Sequence, residues 1–288
     1  MTSWGPDVST YQGAVDWAAV KRAGASFGIA KASAGSTIAD PDFAASWRDM
    51  KNLHLRRIAY HFAYPSLNSA SAEAGQFLRC LRAAGGWAPG DGMMLDLETG
   101  TGNLSGWALA WLQDVAGATK CRTWAYSYGP FIRLHLTDPR LATWPLHLAD
   151  YQAAVPPSVP PWSSFALWQH TDAGAVPGIA GAVDLNNWMG GSVAALDTWL
   201  GSTPVPTEDD MPAIITPGGS GQWIVRADFS SKTELVDAAD IAAAKKAGAV
   251  DDVLSAAQLA KIPVAGESAA VTIGTVTGTG TFQWTPMP

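Results

Sequence analysis

The segment GMMLDLETG, residues 92–100, ends an apolar run in two carboxylates one residue apart. Side chains of a strand alternate between faces, so Asp96 and Glu98 would point the same way. Two acids on one face repel, and burial penalises their charged forms. A chain tolerates that cost where acids do chemistry; a strand running out into a polar loop is the plainer alternative. Three more acids hold comparable positions: Asp7 ends the first strand-like run, Asp150 follows the sixth, and Asp184 lies in the last. The five histidines (His54, His61, His135, His147, His170) show no HExxH pattern or other ligand spacing. Cys80 and Cys121 also lack metal-ligand spacing and read as buried free thiols. Clustered carboxylates without a histidine cluster suit glycoside hydrolysis, in which one acid protonates the leaving oxygen and another stabilises the sugar cation. No metal and no cofactor are expected on this reading. A Mg²⁺ or Ca²⁺ site is the competing use of clustered acids.

Such acids can meet only if the strands that carry them converge. Strand-like runs fall at 4–8, 26–32, 57–63, 93–98, 122–127, 145–149, 164–169 and 182–185, and helix-like runs at 16–23, 42–53, 71–83 and 104–116. This alternation argues for an α/β fold with a largely parallel sheet. Eight strands in about 200 residues make a (β/α) barrel the leading architecture, with functional groups at the C-terminal strand ends. Closure would set the last strand beside the first, making Asp7 and Asp184 neighbours. In the third helix-like run Phe77, Leu78 and Leu81 keep helical spacing, and Gly85 suits its C-terminal cap. The stretch QAAVPPSVPPWSS, residues 152–164, is too proline-rich for a regular helix, so the barrel is expected to be irregular there.

Residues 201–212, GSTPVPTEDDMP, read as a linker between a domain at 1–200 and a second one at 213–288. The second region has a strand candidate at 222–229, a helix-like run at 236–250 and a glycine-punctuated, β-prone end at 269–284. A small α+β domain is expected. The net charge of −7 gives no reason to expect nucleic acid or an anionic membrane as partner. Residues 206–288 hold ten acids against five basic residues, so a basic wall-binding face is not expected there. Twelve of the fourteen tryptophans precede residue 206; indoles stack on sugar C–H faces but are also ordinary core material. No apolar run approaches the roughly 20 residues that span a bilayer. The start, MTSWGPDVSTYQG, has neither a basic segment nor an apolar h-region, so no secretory signal is expected.

Seven motifs occur in order: DVSTYQG (7–13), FGIAKASAG (27–35), AYHFAYP (59–65), MLDLE (94–98), WAYSY (124–128), HLADYQ (147–152) and LWQHTDAGAVPGIAGAVDLNNW (167–188). Together they resemble the glycoside hydrolase family 25 lysozymes, the Chalaropsis-type N-acetylmuramidases, over residues 4–200. The resemblance implies a flattened, irregular β/α barrel. It implies hydrolysis of the β-1,4 bond between N-acetylmuramic acid and N-acetylglucosamine in bacterial peptidoglycan. Position by position, Glu98 matches the family's general acid, Asp96 its close carboxylate partner, and Asp7 and Asp184 the acids of the first and last strands. Asp96 acts either as nucleophile or by orienting the substrate's 2-acetamido group, with D-x-E spacing favouring the second; both routes retain anomeric configuration. Many members carry an acid where this chain has Ala34, which touches cleft-edge contacts and not bond breaking.

Competing readings stand beside these roles. Asp7 after Pro6 also suits a turn or helix cap, Asp184 a core salt bridge, and Asp150 a structural bond as readily as a substrate contact. Tyr60, Tyr126, Trp168 and Gln169 are expected to line the cleft, with barrel core as the alternative; His61 reads as a satisfied core histidine. A barrel, a linker and a second domain make the layout of a phage endolysin. Such an enzyme waits in the host cytoplasm, leaves through a separate membrane-perforating protein and then acts on the cell wall. A non-hydrolytic glycan binder and a virion-associated lysin are the alternatives.

Overall fold

The computed structural model describes residues 3–152 and 154–201, and beyond them six short strands. The chain divides into two compact units, Met1–Pro204 and Val205–Pro288.

In the first unit, nine strands make one sheet: β1 (Trp4–Val8), β2 (Phe27–Ala34), β3 (Ile38–Ala39), β4 (Arg56–Phe62), β5 (Gly92–Asp96), β6 (Arg122–Tyr128), β7 (Leu146–Ala149), β8 (Leu167–Gly174) and β9 (Val183–Trp188). Their order is β1-β9-β8-β7-β6-β5-β4-β2-β3, and β1 also pairs with β2, which closes a barrel with β3 as an outer flap on β2. The expected α/β barrel is therefore present, with each of the eight expected runs in it. The ladder is parallel from β1 through β2 and on to β8, but β9 runs antiparallel to both β8 and β1. The seam at the last strand departs from the parallel pattern, because no helix crosses back between β8 and β9.

Six helices surround the strands: α1 (Trp17–Arg22), α2 (Phe43–Asn52), α3 (Ala70–Ala83), α4 (Ser105–Thr119), α5 (Gly129–His135) and α6 (Val193–Leu200). Local chemistry sets their ends. Asp16, Ser69 and Ser192 cap α1, α3 and α6 by accepting backbone N–H bonds. After α3, Gly85 takes φ +96°, and Gly86 N–H reaches Leu81 O at 2.8 Å, the six-to-one bond of a Schellman ending. As expected, the proline-rich stretch between β7 and β8 carries no helix.

Alternation along the strands builds two apolar layers. Met93, Leu95 and Leu97 point out to the helices, as do Ala30, Ala59, Ala125 and Leu148. Phe27, Ile29, Ile58, Met94, Trp124, Leu167 and Trp188 fill the barrel interior with Leu196 and Leu200 of α6. Trp199 of α6 lies 5.0 Å from Trp124 and 4.9 Å from Trp188, so α6 stoppers the N-terminal end of the barrel. Two bidentate ion pairs brace that end: Arg56 with Asp197 and the buried Arg57 with Asp91. The opposite end stays open for a site.

In the second unit, β10 (Ala213–Ile215), β11 (Gln222–Val225), β12 (Lys232–Leu235) and β13 (Val250–Asp252) form a sheet in the order β12-β11-β10-β13, and β14 (Thr275–Val276) pairs with β15 (Phe282–Gln283). The strand expected over 222–229 is present at 222–225. The expected linker at 201–212 lies outside the described residues apart from Gly201, and so does the helix-like run at 236–250 apart from Val250.

Candidate active site

Strand β5 brings the first two acids in. Its ladder ends at Asp96, not at Glu98 as expected, but Leu97 N–H still donates to Tyr126 O at 3.1 Å and keeps the chain extended. With Leu95 and Leu97 packed outward, Asp96 and Glu98 share the inner side. Asp96 is buried and Glu98 half-buried. Asp7 ends β1 and sits in register with Asp184 of β9. Because β9 runs backwards, an acid near its start reaches the same barrel end as acids at the ends of the parallel strands. Four carboxyls from three strands thus converge at the open mouth.

Their protonation follows from that crowding. Burial is the main cause that raises Asp7 well above the usual carboxylate range, followed by repulsion from Asp184. Asp96 is also raised well, by burial and then by the charges of Glu98 and Asp7. Glu98 is raised by burial too, while its hydrogen bond with Asp96 pulls it down. That bond favours the proton on Asp96, the deeper member of the pair. Asp184 is pushed up to about 6 by burial and by Asp172 on β8.

One cation stands among the acids. Lys31 of β2 lowers Asp7, Asp96 and Glu98, and its Nζ lies 4.8 Å from the Phe62 ring centroid and 5.9 Å from that of Tyr60. Nothing in the sequence analysis marked Lys31, although a lysine inside the apolar run FGIAKASAG was a visible signal.

Of the expected cleft residues, Tyr60, Tyr126 and Gln169 face the acids. Burial and the charges of the acids hold the phenols of Tyr60 and Tyr126 in their neutral form. Gln169 is a relay: its Oε1 accepts from Tyr126 and from Tyr151, both at 2.8 Å, and its Nε2 donates to Asp184 Oδ2 at 3.3 Å. Tyr151 was not anticipated; it follows β7 in the motif HLADYQ and keeps its ring half exposed.

Two of the expected residues stand apart from the acids. Trp168 alternates with Gln169 along β8 and faces the other way; its indole N–H donates to Asp150 O at 2.7 Å. Asp150 accepts from Gln152 Nε2 at 2.6 Å and donates its backbone N–H to Gln169 O, so it anchors the turn after β7 and does not join the acids. His61 is the core histidine expected: its ring bonds Ser33 Oγ and Glu73 Oε2, both at 2.8 Å, and stacks on Trp111. His147 is buried in the barrel beneath Tyr126 and pushed down to about 3 by burial, which keeps it neutral.

Residues 6–179 match the glycosyl hydrolases family 25. The chain belongs to that family. It is 30% identical over 216 residues to lysozyme M1 of Streptomyces globisporus, covering 67% of this chain and 69% of the relative. To the N,O-diacetylmuramidase of Chalaropsis sp it is 31% identical over 218 residues, covering 67% of this chain and 96% of the relative. Among solved structures, a bacterial lysozyme from Streptomyces coelicolor superposes with a TM-score of 0.64 at 27% identity, over 70% of this chain and 98% of that one. The CTP1L endolysin gives 0.59 at 32% identity, over 65% of this chain and 66% of that one. The family 25 match begins at Pro6 and takes in Asp7, Asp96 and Glu98 but stops before Asp184. As a member of that family the chain is a glycoside hydrolase acting on peptidoglycan. No helix among the described residues is long and apolar enough to cross a membrane.

Proposed function

We propose that this family 25 hydrolase cleaves the β-1,4 bond between N-acetylmuramic acid and N-acetylglucosamine with retention, using Glu98 as general acid and then base. The carrying observation is the Asp96–Glu98 pair, two carboxyls that burial and like charge raise above their usual range. Asp96 Oδ1 is buried and has no hydrogen-bond partner among the described residues, so it suits a donor brought by substrate. An acetamido N–H bound there stabilises Asp96 as the anion and moves the proton to Glu98. Glu98 protonates the leaving oxygen as the acetamido carbonyl oxygen attacks the anomeric carbon from the opposite face. The cationic ring that forms is balanced by Asp96. Water then opens it, giving its proton to Glu98, and the two inversions restore configuration. Asp7 and Asp184 add negative potential for the cationic transition state. Both routes need Asp96 ionised and Glu98 protonated; the unpartnered Oδ1 of Asp96, which suits an acetamido N–H, favours the acetamido route.

Digestion of purified peptidoglycan followed by mass analysis tests the reading. Reducing-end muramic acid is expected. Reducing-end glucosamine or freed peptides would overturn it, and binding without cleavage would favour the non-hydrolytic alternative.

We further infer that the enzyme serves as a phage endolysin, with residues 213–288 holding the wall. Supporting this are the likeness to the CTP1L endolysin and the proline-rich, acidic segment at 201–212 that joins two differently composed regions. Expression inside bacteria with and without a separate membrane-perforating protein tests it. Lysis only with that protein is expected; lysis without it would remove the endolysin role.

A further inference from the structure

A second concave site lies at the other end of the barrel. A cavity of about 400 Å³ opens beside the first residues of β6 and β7 and the end of α6, lined among others by Lys120, Arg122, Thr143, Trp144 and Trp199. The acids stand toward the other end of the barrel, where Asp96 is in register with Tyr126 of β6. The four residue steps from Arg122 to Tyr126, at about 3.3 Å each, separate the two places by more than roughly 10 Å.

The charge of this cavity runs against that of the molecule. Among the described residues its lining holds two cations and no acid, in a chain of net charge −7. Among the described residues neither Lys120 nor Arg122 has a carboxylate within ion-pair distance. The acids of this barrel end are already matched, Asp197 by Arg56 and Asp91 by Arg57. Arg122 donates its Nε to Trp199 O at 2.8 Å and lies 5.4 Å over the Trp199 ring, which fixes the guanidinium and leaves its outer N–H groups free. Lys120 closes α4 in the left-handed region, φ 59°, where glycine or asparagine is the unstrained choice. Trp144 is half-buried, and its carbonyl accepts from Trp162 at 2.7 Å, which pins the residue at the rim. Two cations beside an indole at the rim suit a sugar with a short acidic peptide attached: the ring packs on the indole, and a carboxylate of the peptide meets the guanidinium fork and the ammonium.

We propose that this cavity is a second, non-catalytic glycan site that takes a muramyl peptide of the wall polymer, with the sugar ring on the indole and a stem-peptide carboxylate on the two cations. The proposal rests on peptidoglycan being the substrate. The two sites open at opposite ends of the barrel, so the second one does not extend the cleft along one glycan strand. It holds a different strand, and thereby raises the local concentration of the catalytic end at the wall.

The test uses the full chain carrying Glu98→Gln, labelled with ¹⁵N at its indoles, the Trp144 signal being assigned by its loss in Trp144→Phe. The probe is N-acetylmuramyl dipeptide. A saturable shift of the Trp144 signal is expected, with affinity falling on the order of ten-fold in Lys120→Gln. Lys120→Gly, which removes the charge and relieves the left-handed backbone, is expected to match it, so a disturbed turn in the glutamine variant does not blur the result. An uncharged N-acetylglucosamine oligomer should bind no better than the muramyl probe binds Lys120→Gln. No shift at Trp144, unchanged affinity in both Lys120 variants, or a shift only with poly(glycerol phosphate) would overturn the proposal. Hydrolysis of soluble muropeptides by the unmutated chain, measured in parallel, separates the two readings. Hydrolysis with a silent Trp144 removes this site alone, and a shift without hydrolysis upholds the site while removing the muramidase reading.

Discussion

Asp7 and Asp184 lie directly opposite each other across the antiparallel β1–β9 pair. Like charges in that relation destabilise a sheet, and burial adds to the cost. Asp184→Asn is therefore expected to stabilise the fold at pH 7 by up to about 1 kcal/mol while reducing hydrolysis. The pH dependence has a fixed sign. Asp184 is pushed up to about 6 in the folded chain, above the ordinary carboxylate value of 3.8, so the folded state takes up the proton first as pH falls. Its share of stability is complete below about pH 4 and lost as pH rises through 6. The melting-temperature gap between variant and parent should therefore be largest at pH 7 and shrink by pH 4.5; a gap independent of pH would count against a strained acid pair.

Glu98→Gln keeps the size of the side chain and removes the deliverable proton. Turnover on peptidoglycan should fall by roughly 10²–10⁴, with a melting temperature equal to the parent's or higher, because a raised carboxyl is lost. Asp96→Asn should act on the same step, so the double variant should lose little more than either single one. Near-parental turnover by folded Glu98→Gln would remove its role.

Lys31 lowers the three buried acids it faces. With Lys31→Met the proton of the Asp96–Glu98 pair should be held to higher pH, so the alkaline limb of kcat/KM should move upward. The limb records loss of that proton, which the lysine promotes. A profile that merely falls in height, with its limbs in place, would mean that Lys31 touches substrate without tuning the pair.

Glu73 of α3 is fully buried and accepts from His61 at 2.8 Å, from Asn68 at 2.8 Å and from Tyr64 N–H at 3.1 Å. Removing it strands three donors beneath the loop that follows β4. Glu73→Ala should cost on the order of 3 kcal/mol, read from urea denaturation, with the Glu73→Gln loss smaller. A cost under about 0.5 kcal/mol, the ordinary range for a surface change, would show that the network carries no weight.

The barrel was legible because its strands are short apolar runs bounded by turns, and the Asp96–Glu98 pair because a period of two puts both acids on one face. Asp184 was legible only through closure: its own strand runs backwards, and no local pattern in AVDLNNW reveals direction. Trp168 stands on the other face of β8 from Gln169, because neighbours along a strand alternate, a phase that the sequence alone leaves open. Lys31 and Tyr151 escaped notice because one basic residue in a strand and one aromatic after a strand are chemically silent until the acids around them are located. The helix α6 had cap signals at both ends, Ser192 and Gly201, but its apolar sequence VAALDTWL makes sense only against the open floor of a barrel.

That floor sets the last prediction, which concerns where the catalytic unit ends. Leu196, Leu200 and Trp199 of α6 pack on Trp124, Trp188 and Leu167 inside the barrel, and Arg56 pairs with Asp197 across the same end. A chain cut after residue 203 keeps all of this and every one of the four acids. It is expected to fold and to hydrolyse small soluble muropeptides at the parent's rate, while lysing intact cells more slowly at limiting enzyme. A chain cut after residue 190 keeps the same acids but uncovers two indoles, Trp124 and Trp188, and the interior Leu167. Burying each such side chain is worth about 1.5–3 kcal/mol, a loss that matches much of a typical domain's stability of about 5–15 kcal/mol. The shorter chain should therefore be insoluble or melt far below the longer one, although it lacks no catalytic residue. Circular dichroism melts and muropeptide turnover on the two truncations decide the matter. Equal stability of both would mean that α6 does not hold the barrel closed, and an unfolded 1–203 would mean that the barrel depends on residues beyond it.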